Sequence, residues 1–161
     1  MSKIKNKTLF NLILLFSIFA LIAAYFIQYV LKHEPCNLCL IERIPYFFSI
    51  IVISICLFTG KFEKLSLIIL SLIFFSATLI AFYHFGIEQG FIKESLVCDL
   101  NNESNNLSKE ALLNQLKTMP VSCKDVTFKI FGLSLATFNI FISFILSIIT
   151  IKIFLTYEKN R

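Results

Sequence analysis

The chain has 161 residues, 57% of them apolar and 16% charged, with a formal net charge of +5; an average soluble domain is about 45–50% apolar and about 25% charged. A soluble core of this size lacks the volume to hide so much apolar surface, and nineteen Phe against four Gly and three Pro exclude a disordered or collagen-like chain. The basic excess sits at the ends of apolar segments rather than on a folded soluble face, which excludes nucleic acid as a partner and implies an integral membrane protein in a lipid bilayer.

Residues 9–31 form the first uncharged apolar stretch, long enough to cross a hydrocarbon core about 30 Å thick. Lys3, Lys5 and Lys7 precede it, as in a secretory leader. Its apolar run, however, far exceeds the roughly 7–15 residues of a leader core, and Ala23 and Ala24 lie inside the run rather than after it. It reads as a retained helix. Residues 32–43 form the next loop and hold Pro35-Cys36-Asn37-Leu38-Cys39. Closing a CxxC makes a small strained ring, and in the open form each thiol alters the acidity of the other. Such pairs tend to exchange electrons rather than staple a fold.

Arg43 ends that loop, and Pro45 then opens the second span, residues 44–60, which is near the lower length limit for a crossing. A cation beside the CxxC favours the thiolate that attacks disulfides. The plainer alternative is an interfacial Arg that anchors a helix end, its charge balanced by Glu42. Cys56, inside the span, reads as a small buried hydrophobe.

The third span, residues 65–86, ends in Phe82-Tyr83-His84-Phe85-Gly86. An ionisable side chain close to hydrocarbon is expensive and usually has a purpose. His84 could give a hydrogen bond or a proton to a carbonyl-bearing ligand, or it could occupy an aromatic belt beside Tyr83. Because the second span begins and the third ends on the same side, Arg43 and His84 lie at similar depth. The second long loop, residues 87–130, carries Cys98 and Cys123 in a polar setting, and a disulfide there would close a long flexible loop at modest entropic cost. Within it residues 100–106 are turn-like, and Ser108 caps a short helix over 109–118 that Pro120 ends. Leu112, Leu113, Leu116 and Met119 share one face, to rest on the membrane surface or on the top of the bundle. Residues 131–151 form the fourth span.

In lipid each segment must satisfy its own backbone hydrogen bonds, so the expected fold is an all-α membrane protein: a four-transmembrane-helix bundle, residues 1–161 as one membrane domain, with a short interfacial helix in the second outer loop. Lys3, Lys5, Lys7, Lys61, Lys64, Lys152, Lys159 and Arg161 crowd the tails and the short connector, whereas the basic residues of the two long loops are sparse. Both termini therefore face the cytoplasm and both longer loops face outward. Four of the five cysteines then occupy the compartment where disulfides persist. A zinc site with four cysteine ligands takes two closely spaced knuckles, so one CxxC with two distant cysteines argues against a metal. Two purely structural disulfides are the plainer alternative, although a CxxC makes an inefficient staple.

Pro35-Cys-Asn-Leu-Cys-Leu-Ile-Glu-Arg43 resembles the signature of DsbB, the quinone-dependent membrane oxidase family of bacterial disulfide formation. The resemblance continues through Ala-Phe-Tyr-His84, Ile87-Glu88, the spaced pair Cys98 and Cys123, and Phe131-Gly-Leu-Ser-Leu-Ala136, in order along nearly the whole chain. It implies a multi-pass protein of the bacterial cytoplasmic (inner) membrane that reoxidises a thioredoxin-fold thiol oxidant of the DsbA type and passes the electrons to ubiquinone or menaquinone. By the same resemblance Cys98 forms the mixed disulfide with that partner and Cys123 is its mate. Cys36 takes the electrons, Cys39 passes them on, and Arg43 and His84 line the quinone site. Family members often carry Trp where this chain has Phe128 and Phe138, another apolar aromatic face.

Two rivals remain. A relay carrying reducing power outward would place its key cysteines within the spans, and here they lie outside. A non-enzymatic membrane scaffold would keep both pairs oxidised, and losing Arg43 or His84 would cost it stability without changing electron transfer.

Overall fold

The computed structural model describes residues 2–60, 62–93, 123–124, 129–130 and 132–159. It is mostly helical. Helix α1 runs Ser2–Tyr29, a short α2 runs Asn37–Ile41, α3 runs Ile44–Thr59 and α4 runs Glu63–Glu88. A two-residue hairpin, β1 (Lys129–Ile130) and β2 (Leu133–Ser134), leads into α5, Leu135–Lys159. Four segments are long and apolar enough to cross a membrane: Lys7–Tyr29, Asn37–Thr59, Glu63–Glu88 and Leu135–Thr156. The interfacial helix expected over 109–118 lies outside the described residues.

Local chemistry sets the boundaries. Pro45 sits in the first turn of α3, where its missing N–H would have no helical partner. The far end closes on Gly60, whose φ of +60° is a left-handed cap, with its N–H donating to the Cys56 carbonyl at 3.0 Å. The last long helix begins later than the apolar run does, because Gly132 (φ +82°) turns the chain and Ser134 caps α5, its Oγ accepting from the Thr137 N–H at 3.3 Å. In the hairpin Lys129 pairs with Ser134 and Ile130 with Leu133, antiparallel.

Helix α4 packs along α5, α3 packs on α4, and α1 packs on α3. The main core gathers Phe10 and Ile13 of α1, Tyr46, Ile53 and Cys56 of α3, and Leu67, Leu70 and Phe74 of α4. Elsewhere the helix contacts use small residues: Ala77 and Ala81 on α4 and Ser143, Ser147 and Thr150 on α5 are all buried. Small side chains let backbones approach where no hydrophobic force drives helices together, and hydroxyls add contacts across the interface. Ser17 and Ser49 join α1 to α3, Oγ to Oγ at 2.9 Å, and the Ser147 Oγ donates to the Ser71 carbonyl at 3.4 Å across α5 and α4. The bulky side chains face outward instead. Phe19, Phe26, Phe58, Leu72, Phe82 and Phe141 are all exposed, an apolar exterior that suits lipid.

Because α1 leans on α3 while α5 leans on α4, a cavity of about 320 Å³ forms near the top of the bundle with walls from α1 and α5. The α2 segment and the upper end of α4 close it with polar residues.

Candidate active site

Cys36 caps α2 in an extended conformation (φ −70°, ψ 167°), and its Sγ accepts from the Cys39 N–H at 3.3 Å. One helical turn brings the two sulfurs to 2.8 Å, so the CxxC can open and close with little backbone movement. Cys36 is buried and Cys39 partly exposed to the cavity. The Cys36 thiol is pushed well above its usual range, first by the hydrogen bond with Cys39 and then by burial, with His84 pulling the other way. Cys36 therefore keeps its proton against water, and His84 is the group placed to draw it off.

His84 comes to this turn from α4. Its Nε2 lies 3.5 Å from Cys36 Sγ, and its Nδ1 lies 2.6 Å from Glu42 Oε1. The ring is only 3% exposed and Glu42 only 8%. The second Glu42 oxygen accepts from Asn139 Nδ2 of α5 at 2.8 Å. Asn139 Oδ1 in turn accepts from the Tyr46 hydroxyl of α3 at 2.5 Å and from the Ser143 hydroxyl at 3.1 Å. A polar chain thus runs from the thiols down into the bundle, each member on a different element from the next until Ser143. Glu88, one helical turn after His84, places Oε1 3.6 Å from His84 Nε2, and its buried Oε2 has no hydrogen-bond partner among the described residues.

Arg43 lines the same cavity but reaches toward α1. Its Nη1 donates to Gln28 Oε1 at 2.6 Å, and its guanidinium lies 5.0 Å from the centre of the Tyr25 ring. The balance expected between Glu42 and Arg43 is therefore not what forms: neighbours on a helical turn point about 100° apart, so Glu42 turns inward to His84 and Arg43 turns to α1. Cys123 is buried in a small cluster with Cys36, Leu38 and Ile87, which Cys39 and Tyr83 join, and it lines the cavity too. Of the candidate residues, Cys36, Cys39, Arg43, His84 and Cys123 thus meet around one space, while Cys98 lies outside the described residues. Cys56 stands apart, buried in the main apolar core.

A sequence model of the disulfide bond formation protein DsbB family matches residues 6–153. The chain belongs to the DsbB family. An uncharacterized protein, RP370, of Rickettsia prowazekii (strain Madrid E) is 28% identical over 161 residues, covering 99% of this chain and 93% of that protein. Membership in the DsbB family points to disulfide bond formation by a multi-pass membrane protein, and paired thiols beside a buried histidine are chemically suited to it.

Sequence reasoning on this DsbB-family chain missed Glu42 as a partner of His84 and gave no role to Asn139, Tyr46, Gln28 or Glu88. A signal was present for two of them. Asn139 and Gln28 are amides within otherwise apolar spans, and a polar group at that depth has to find a partner. Glu42 carried no such signal, because its neighbour Arg43 already offered an obvious counter-charge.

Proposed function

We propose that the protein is a thiol:quinone oxidoreductase: it reoxidises a thioredoxin-fold thiol oxidant of the DsbA type and passes the electrons to membrane quinone, ubiquinone or menaquinone. The observation that carries this reading is the convergence of Cys36, Cys39, Cys123, Arg43 and His84 on one cavity that also has apolar walls from α1 and α5. A soluble donor needs an exposed loop, a lipid-phase acceptor needs a site beside the membrane helices, and the last thiol must stand between them.

The cavity suits a quinone. Phe19, Ala20, Ala23 and Ala24 of α1 and Ala136 and Phe138 of α5 offer flat apolar contact, Arg43 offers a hydrogen-bond donor for a ring oxygen, and His84 offers another once its Nε2 carries a proton. Glu88 Oε2, which has no partner among the described residues, could accept from the hydroxyl of a reduced ring. The chemistry a quinone supplies when bound is that of a sink for two electrons and two protons. The rest belongs to the chain. Cys98 receives the attack of the soluble thiolate, and Cys123, its mate, hands the electrons to Cys36, beside which it is buried. Cys39 faces the cavity as the last sulfur before the acceptor. Both termini are cytoplasmic, both cysteine loops lie outside the inner membrane, and the chain works as one membrane domain.

Quinone reduction by the purified protein in detergent, with a reduced thioredoxin-fold oxidant as donor, tests this reading. Turnover that requires both Cys39 and Cys98 and weakens in Arg43→Ala is the expected result. No turnover with any quinone, with both disulfides untouched by the donor, would leave a structural scaffold as the better description.

A further inference from the structure

The proposed relay gives His84 a place on the cavity wall but leaves open how its ring is held and what Glu42, Asn139 and Tyr46 are for. A buried carboxylate is costly unless it is paired and hydrogen-bonded, yet Glu42 is drawn inward, away from the adjacent arginine, and fitted between two elements. One oxygen meets His84 Nδ1 and the other meets the Asn139 amide. An amide flanked on one side by a carboxylate and on the other by hydroxyls has its orientation decided: Nδ2 donates to Glu42, and Oδ1 accepts from Tyr46 and Ser143. The same chain of constraints decides the imidazole. With Nδ1–H donating to a carboxylate that can only accept, the neutral ring turns its Nε2 lone pair toward Cys36.

We infer that Asn139 and Tyr46 are positioning residues that lock Glu42 against His84 Nδ1, so that His84 Nε2 is the acceptor of the Cys36 thiol proton. In the step the Cys36 S–H bond breaks, an Nε2–H bond forms and the sulfur keeps the electron pair as thiolate. Glu42 on one side and Glu88 on the other compensate the imidazolium. The inference deepens the proposed function and rests on it only in taking Cys36 as a working thiol. Among the described residues, the titratable groups facing the ring are Cys36 beside α2, Glu42 after it, and Glu88 on the same helix as the ring. Tyr46 of α3 enters through Asn139, α5 contributes only the uncharged Asn139 and Ser143, and Cys39, Cys123, His33, Glu34 and Arg43 line the adjoining cavity.

The test uses the fully reduced full-length protein with neither quinone nor donor present. The rate at which iodoacetamide modifies Cys36, resolved by mass spectrometry, is followed against pH in wild type, Asn139→Ala, Tyr46→Phe, Glu42→Gln and His84→Ala. Loss of Asn139 or Tyr46 is expected to slow Cys36 at neutral pH by about tenfold, the lower end of what lost support of an oriented imidazole costs, and to move its pH profile upward. Neither change should add to His84→Ala. Profiles for Asn139→Ala and Tyr46→Phe that superimpose on wild type would overturn the inference.

Should these variants fail to fold, the wild-type ring itself decides. The chain has two histidines, so ¹⁵N-histidine NMR with a His33→Gln reference assigns His84. In the reduced protein a ring protonated at Nδ1 and bare at Nε2 supports the inference, and a bare Nδ1, or an Nε2 protonated while Cys36 keeps its own proton, overturns it. Because no quinone enters either measurement, a failure of the proposed electron acceptor would leave these results standing.

Discussion

Cys36 and Cys39 share one turn of helix but not one environment. The hydrogen bond its thiol makes with Cys39, and then burial, keep Cys36 protonated beyond its usual range, which is a statement about folding as well as reactivity. An acid whose affinity for its proton is raised by folding stabilises the native state while both states hold the proton. That contribution is lost as pH climbs past the ordinary thiol value of about 8.5, where the unfolded chain releases the proton first. The reduced protein should therefore lose thermal stability above about pH 8.5, and Cys36→Ser should flatten that part of the curve; equal slopes in the two proteins would show that the burial does not act this way. Arg43 makes a second residue-level case. Its planar guanidinium both donates to Gln28 and lies over Tyr25, and an ammonium cannot reproduce the stacked half of that arrangement. Arg43→Lys should weaken quinone turnover about fivefold, equivalent to about 1 kcal/mol of lost cation–π contact, and steady-state kinetics on both proteins would reveal it.

At the level of the elements, the helices end where side-chain chemistry ends them rather than where hydropathy runs out. The apolar run that enters α5 starts ahead of the helix, and hydropathy alone cannot distinguish the two. Gly132 and Ser134 could be recognised as a turn residue and a cap, but their apolar neighbours mask the signal. Gly60 is a cleaner case. It takes a left-handed conformation with no atom within 4 Å of where a Cβ would stand, so a substitution there meets conformational strain and no clash. Gly60→Ala should cost about 1 kcal/mol, read as a lower melting temperature in detergent with the thiol chemistry unaffected. A variant as stable as wild type would mean that the α3–α4 connection relaxes to another conformation.

Across the whole molecule, the arrangement is one of division. Outside the core around Phe10, Ile53 and Phe74, bulky apolar side chains face outward, small and hydroxylic ones mediate helix contacts, and a polar group collects at one end of the bundle around a cavity walled by α1 and α5. Ala23 and Ala24 keep the α1 wall thin. Ala24→Phe should fill part of the space and raise the KM for quinone about tenfold, the scale of an overpacking penalty of about 1.4 kcal/mol. Thiol–disulfide exchange with the soluble donor, measured in a single turnover without quinone, should be unchanged. Loss of both activities together would place the two reactions in one site rather than in adjoining ones.

Composition and periodicity alone determined that this chain lives in a membrane, crosses it four times as helices, and carries a CxxC beside Arg43 with His84 at similar depth. Those conclusions rest on apolar length and local spacing, and both are properties of the chain read in one dimension. Which groups touch was decided elsewhere. Glu42 and His84 are separated by 42 residues, and Glu42 and Asn139 by 97. Whether Glu42 would face the adjacent Arg43 or the distant histidine depended on how α2 meets α4 and α5. Only helix packing brings such groups within a hydrogen bond of each other, and a buried polar group takes whichever partner the packing supplies.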